Sequence, residues 1–290
     1  MSNDEFEIRA LTTRDEYEAC VELQRDIWGQ DFVDVVPATI LMVSQRVGGV
    51  ASGAFDPSGR LTGFVFGISG FRDRVAVHWS DMLAVRPDAR RQGLGRRLKL
   101  HQRETLLAAG IKKVYWSFDP LMAGNARFNL VTLGALPVEY IADMYGDTSS
   151  ELHQGLDTDR LIIEWRLTEP AVERALAGNP RHLPDEARTA PVIPTHQTGA
   201  DTTPLPPAPW VRLEIPDDAE HLKATAPEVA QKWQFSFRRV FTAYLNEGQA
   251  HVIGVCRDET TGCYFYAVDT TAPSDDTSSI SNAPRSKGAR

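Results

Sequence analysis

Cysteine is scarce in this 290-residue chain, with only Cys20, Cys256 and Cys263. Three thiols make no disulfide framework, and no C-x-x-C pair suggests zinc, so no metal is expected. An uncharged apolar run of about 18 residues is missing too, which removes a membrane-spanning helix. The opening MSNDEFEIRA is acidic and lacks the apolar stretch of a secretory leader. Positive charge is in the minority: Lys+Arg 31 against Asp+Glu 39 gives −8. That balance disfavours nucleic acid or an anionic membrane as partner. No G-K-[ST] phosphate loop occurs, and Gly67-Ile68-Ser69-Gly70 is not a G-x-S-x-G hydrolase elbow. No internal repeat is visible. A soluble, reduced, cytoplasmic protein is expected.

What is present has ordinary globular composition, 42% hydrophobic and 24% charged. Residues 178–209 hold eight prolines and few large apolar side chains, which reads as an extended linker. The tail from about Thr270 has the same character and is expected to be disordered. Trp210–Val268 looks folded but is short for an independent core, so it is expected to pack on the N-terminal part. The expected division is therefore 1–168, a helix end and linker at 169–209, a C-terminal β-α-β-β segment at 210–269, and a tail at 270–290.

Within the first part, Phe6–Leu11 reads as a strand. Thr13 with Glu16 forms a capping box for a helix running to Trp28-Gly29, and a second helix follows Pro37. Asp56-Pro57-Ser58-Gly59 turns a hairpin. Val75–Val85 is a long strand stopped by Pro87. A helix from Gly93 to Ala109, a strand at Lys113–Phe118, a short helix from Asn125 to Leu133, and strands at Val138–Tyr145 and Leu161–Leu167 complete it. Antiparallel strands followed by strand–helix–strand–helix predict a mixed α/β sheet flanked by helices. After the linker come a strand, a helix over about 227–246 and a hairpin. Trp233, Phe237 and Phe241 recur on that helix at i, i+4 and i+8. The stripe reads as the docking face of the segment, or else as a homodimer interface.

The chemistry concentrates at Arg90-Arg91-Gln92-Gly93-Leu94-Gly95-Arg96. A strand ends at Val85, a turn carries R-x-x-G-x-G, and a helix begins. Glycines allow a sharp turn and close approach to a ligand, and the free amides of a helix start favour an anion. A dinucleotide fingerprint would need a third glycine where Leu98 stands. Arg86 to Arg103 carries seven basic residues and one acid. Arg97, Lys99 and Arg103 read as a solvated helix face, whereas Arg90, Arg91 and Arg96 sit at the turn.

With strand and helix on either side, this turn resembles motif A of the GNAT acyltransferase superfamily. Asn125, the helix after it and Gly134-Ala135 resemble motif B. The resemblance covers about residues 6–167. IWG at 27–29, SFDPLMAGNARFNL at 117–130 and DTDRLIIEW at 157–165 resemble a branch with a C-terminal extension. It implies a V-splayed sheet and acetyl-CoA, or another acyl-CoA, as co-substrate. The amides of Gln92, Gly93, Gly95 and Arg96 would bind the pyrophosphate, with Arg90, Arg91, Leu94 and Asn125 in the same site. Val85 would pair with the pantetheine arm, and the Leu83 amide would face the thioester oxygen.

Asp81 stands where several such families carry a base; the competing reading is a salt bridge to Arg74 or Arg86. His78 reads as a surface or partly buried histidine facing away from Asp81 on a regularly alternating strand. The family's tyrosine acid is replaced by Leu130, leaving Tyr140 and Tyr145, which otherwise read as ordinary strand aromatics, or a bound water as substitutes. Trp28, Asp31 and Asp34 would border an amine acceptor, unless the two acids are solvated loop residues, and Asp159-Arg160 would either clamp a carboxylate or form a local turn salt bridge. The expected activity is acyl transfer to the primary amine of a small molecule or amino acid by direct attack. Succinyl-CoA as donor, a non-catalytic acyl-CoA sensor, and an interaction protein working through its C-terminal segment are the alternatives.

Overall fold

In the computed structural model, residues 6–146, 156–193, 195, 206, 208–248 and 250–271 are described. The expected tail beyond Thr271 lies outside them. The N-terminal elements are β1 (Glu7–Ala10), α1 (Arg14–Trp28), α2 (Ala38–Arg46), β2 (Val50–Phe55), β3 (Leu61–Arg72), β4 (Val75–Val85), α3 (Leu94–Ala108), β5 (Lys113–Phe118), α4 (Ala123–Arg127), β6 (Leu136–Ile141) and β7 (Arg160–Arg166). They form a seven-stranded sheet in the order β1-β2-β3-β4-β5-β7-β6. Local signals account for most boundaries. Thr13 accepts from the Glu16 amide and Glu16 reaches back to the cap, the reciprocal pair expected of a capping box. Asp56 accepts from the amides of Ser58 and Arg60 and so closes the β2–β3 turn.

The sheet is antiparallel except at its middle, where β4 and β5 run parallel. Their ladder lasts only from Val77–Trp79 against Lys113–Tyr115. Beyond it β4 stays paired with β3 to Val85, and β5 with β7 to Phe118. The two halves therefore diverge from Ser80 and Trp116 onward and open a V.

One strand departs from simple alternation. Phe66 pairs with Met82 but Gly67 with Ser80, so Asp81 is the extra residue of a β-bulge. The regular period assumed for His78 and Asp81 does not hold across it. His78 is fully buried rather than at the surface. Its Nδ1 lies 2.9 Å from Ser69 Oγ, which donates to Gly48 O, and its Nε2 lies 3.0 Å from Gln102 Nε2. Those partners fix the proton on Nδ1. Burial lowers the His78 pKa to about 3, keeping the ring neutral. Gly67 makes room for it, since a Cβ there would fall 2.2 Å from His78 Nε2.

After α5 (Pro170–Leu176), the segment expected to be an extended linker is packed over its first half. It holds α6 (Asp185–Arg188) and β8 (Val192–Ile193), and Leu183, Ala187, Ala190 and Ile193 are buried. The cause is tertiary: β8 pairs in parallel with β9 (Trp210–Ile215), and Leu183 and Ala187 join Cys256, Phe265 and Ala267 in a small core. With α7 (Ala219–Thr225), α8 (Pro227–Phe241), β10 (His251–Arg257) and β11 (Tyr264–Asp269), this makes a second sheet, β10-β11-β9-β8.

The two sheets share one hydrophobic cluster. Trp233, Phe237 and Phe241 are buried inside it, and Phe241 stacks on Tyr140 at 5.5 Å. The aromatic stripe is thus consumed within the chain, not offered to a second copy. No helix among the described residues is long and apolar enough to cross a membrane.

Candidate active site

The V between β4 and β5 leads into a cavity of about 430 Å³. Its walls include Ser80, Asp81, Met82 and Leu83 from β4, Trp116–Asp119 from β5 and the turn after it, and Asn125 from α4. Trp28, Asp34, Tyr145 and Arg160 also line it, whereas Asp31 does not. Backbone parity determines what β4 shows to this space. The Arg86 amide donates to Thr62 O on the β3 side. In an antiparallel pair this direction alternates, so Leu83 and Val85 aim their backbone groups at the side that β5 has left. The Val85 carbonyl accepts from Arg90 Nε at 3.2 Å.

At the far end of β4 the chain turns through Arg91 (φ 64°) and Gly93 (φ 74°) into α3. The first bond into this helix runs from the Arg97 amide to Gly93 O. The amides of Leu94, Gly95 and Arg96 consequently have no intrahelical acceptor. A Cβ on Gly95 would meet only Leu83 Cδ2, at 3.9 Å, so the space above it is open. Arg90, Arg91 and Gln92 are exposed beside it. The Arg96 side chain instead donates to Leu176 O at 2.6 Å, leaving its amide rather than its guanidinium for a ligand.

Asp81 is exposed to solvent at the cleft, yet enough protein crowds its carboxyl to desolvate it in part. Desolvation pushes its pKa up, opposed in part by a hydrogen bond from Trp79. Neither arginine expected as its ion-pair partner takes that role: Arg86 pairs with Asp26 at 2.8 Å, and Asp81 has no ion pair among the described residues.

Two other sequence expectations are corrected. Tyr140 is buried with its hydroxyl on Asp159 and does not line the cavity. Asp159 is 3% exposed and held by Arg238 and the Asp143 amide, so it clamps no substrate. Arg160 and Tyr145 remain at the cavity, with the Tyr145 hydroxyl 2.9 Å from Ser117 Oγ.

Lys99 is the residue that sequence reasoning placed on the wrong side. It is 2% exposed, not solvated. Its Nζ donates to Ser80 Oγ at 2.7 Å and Gln102 Oε1 at 3.1 Å and lies 3.9 Å from the Trp116 ring centroid. It thus touches the first diverging residue of each strand, at the base of the V. Burial lowers its pKa to about 7. Arg97 and Arg103 are also turned inward, to Phe6 O and Leu167 O. The polar character of the helix face concealed this; only the sheet's opening supplies a place for a buried ammonium.

A parallel strand pair that opens after three residues, followed by a turn of free helix amides, matches what the motif resemblance implied. Residues 15–128 match the Acetyltransferase (GNAT) family. The seven-stranded mixed sheet is GNAT-like, and the second sheet lies outside the matched region. Among solved structures, similarity is found to a ribosomal-protein-S18-alanine N-acetyltransferase from Escherichia coli (19% identity, 57% of this chain and 95% of that one, TM-score 0.43). The NatC complex bound to Gag peptide and CoA matches at 13% identity, over 57% and 99% of the two chains, with TM-score 0.46. An aminoglycoside 6′-N-acetyltransferase complexed with coenzyme A matches at 16% identity, over 56% and 98%, with TM-score 0.44. No curated protein matches.

Proposed function

We propose that this protein is an acyl-CoA-dependent N-acyltransferase, with acetyl-CoA as donor and the primary amine of a small molecule or amino acid as acceptor. The observation that carries the reading is the stretch of β4 from Asp81 to Val85. Its backbone groups at Leu83 and Val85 face an opened sheet, with a charged carboxyl at one end and the Arg90–Arg96 turn at the other. The donor set fits a diphosphate ester: amides of Gln92, Gly93, Leu94, Gly95 and Arg96, with Arg90 and Arg91 adding charge. Val85 and Asn125 hold the arm, which displaces Arg90 from the Val85 carbonyl.

Direct attack in a ternary complex asks three things of the chain. Asp81, its pKa raised by desolvation, removes a proton from the acceptor ammonium and leaves a neutral nucleophile. The Leu83 amide donates to the thioester oxygen as negative charge develops there. Tyr145, in the cavity where Leu130 cannot act, supplies the proton that the departing thiolate takes, and the second proton, shed by the attacking nitrogen as the amide forms, passes through solvent to restore it. Thermal stability with free CoA, acetyl-CoA and succinyl-CoA tests whether the cofactor binds at all. A ligand at 100 times its dissociation constant adds about 2.7 kcal/mol. No shift with any of them refutes the reading, and a shift without thiol release across a panel of amines leaves a sensor instead of an enzyme.

Lys99 favours a second donor. Ser80, to which it is bonded, pairs with Gly67, two β3 residues and about 7 Å from the Val65 that pairs with Leu83. A carboxylate at the end of a four-carbon acyl chain reaches that ammonium, and an acetyl methyl stops short. On this reading succinyl-CoA stabilises the wild type more than acetyl-CoA does, and the Lys99→Met variant loses the difference. Equal shifts in both proteins would retain acetyl-CoA.

A further inference from the structure

The cleft is not built by the GNAT segment alone. Two of its lining side chains, Glu220 and Lys223, come from α7 in the C-terminal segment. Lys223 forms an ion pair with Asp119, the residue that follows β5 at the open end of the V. Both side chains are largely buried, at 7% and 17% exposure. α7 is held there by its neighbours as well. Tyr266 donates to Pro120 O at 2.8 Å. Arg238, on the helix after α7, holds Asp157 and Asp159 at 2.8 and 2.6 Å. Asn246 bonds both backbone groups of Tyr140. These contacts dock the C-terminal segment near the ends of β5, β6 and β7, and from it Glu220 and Lys223 reach the cavity.

From this we infer that α7 is a wall of the acyl-transfer site and that Lys223, latched to Asp119, limits the acceptor to a small amine. The inference rests on the acyltransferase reading. A polypeptide acceptor needs an open groove for the residues behind its first amine, and α7 occupies the β5 end of that path. The cavity, open on one side, has a volume of about 430 Å³, in the range of small-molecule sites. Removing Lys223 leaves the largely buried Asp119 carboxylate without its ion-pair partner, although the Leu121 amide still donates to it, so the latch opens.

Hydrogen exchange on the full chain, with and without saturating acetyl-CoA, separates this inference from the reading beneath it. Filling the cavity is expected to slow exchange at residues 90–97 and at 219–225 by about tenfold or more. In Lys223→Met, and in Asp119→Asn as the complementary variant, protection at 90–97 persists and protection at 219–225 is lost. Slowing at 90–97 with none at 219–225 in the wild type overturns the wall and leaves the cofactor reading intact. No slowing at either place overturns the cofactor reading itself. Unchanged protection of α7 in both variants overturns the latch. Amino acids set against tetrapeptides with the same first residue then read selectivity by thiol release. The wild type is expected to favour the amino acid by at least about tenfold, with a narrower ratio in the variants. Equal wild-type turnover of both refutes the restriction to small amines.

Discussion

Replacing Lys99 by Met, a side chain of similar length without charge, should change stability in a pH-dependent way whose sign is fixed by burial. The folded protein holds this ammonium at a pKa of about 7, against about 10.4 in an unfolded chain. Between those values the unfolded state binds the extra proton. Wild-type stability therefore rises as pH climbs from about 7 towards 10, and the penalty is fully present below about 7. At 1.36 kcal/mol per pH unit the gap is worth roughly 4–5 kcal/mol. Against it stand two hydrogen bonds from Nζ, to Ser80 and Gln102, worth roughly 1 kcal/mol each. Ser80 and Gln102 keep their own bond of 3.1 Å when the amine is gone. Lys99→Met should therefore be more stable than wild type by about 2–3 kcal/mol at pH 6–7, and less stable by about 2 kcal/mol near pH 10. Urea unfolding of both proteins across pH 6–10 reads the difference directly. A difference that stays flat over that range, or slopes the other way, refutes a buried, neutral-leaning Lys99.

Asp81→Asn should lower kcat by about 10²–10⁴-fold with CoA affinity unchanged. Because partial desolvation raises this carboxyl, wild-type kcat/KM falls with decreasing pH as Asp81 takes up a proton, and a variant that keeps that acid limb assigns the base elsewhere. Gly93→Ala puts a side chain at φ 74° and should cost about 1–2 kcal/mol while misaligning the turn amides. An unchanged urea midpoint together with an unchanged CoA-induced thermal shift would count against that role. Tyr140→Phe removes a buried bond to Asp159, which keeps Arg238 and the Asp143 amide. It should destabilise by about 1–3 kcal/mol and leave kcat alone; a large loss of kcat at unchanged fold would restore Tyr140 as the acid.

The sequence by itself determined what depends on neighbours along the chain. The capping box at Thr13, the turn at Asp56, the stop at Pro87 and the R-x-x-G-x-G turn each follow from side chains within a few residues, because caps and turns are satisfied locally. The mixed sheet, and with it the place of the R-x-x-G-x-G turn, was legible for that reason. Tertiary structure decided the rest. The bulge at Asp81 arises from the register of β4 against β3, which no periodicity within β4 records. Lys99 looked like one more charge on a polar helix face until the divergence of β4 and β5 provided Ser80, Gln102 and Trp116 around it. The segment after residue 178 gained order only because β9 had an edge for β8 and the small core had room for Leu183. Tyr140 and Asp159 were drawn away from chemistry by Arg238, about 80 residues downstream. Burial and long-range pairing set those roles, and both are properties of the folded chain rather than of any window of its sequence.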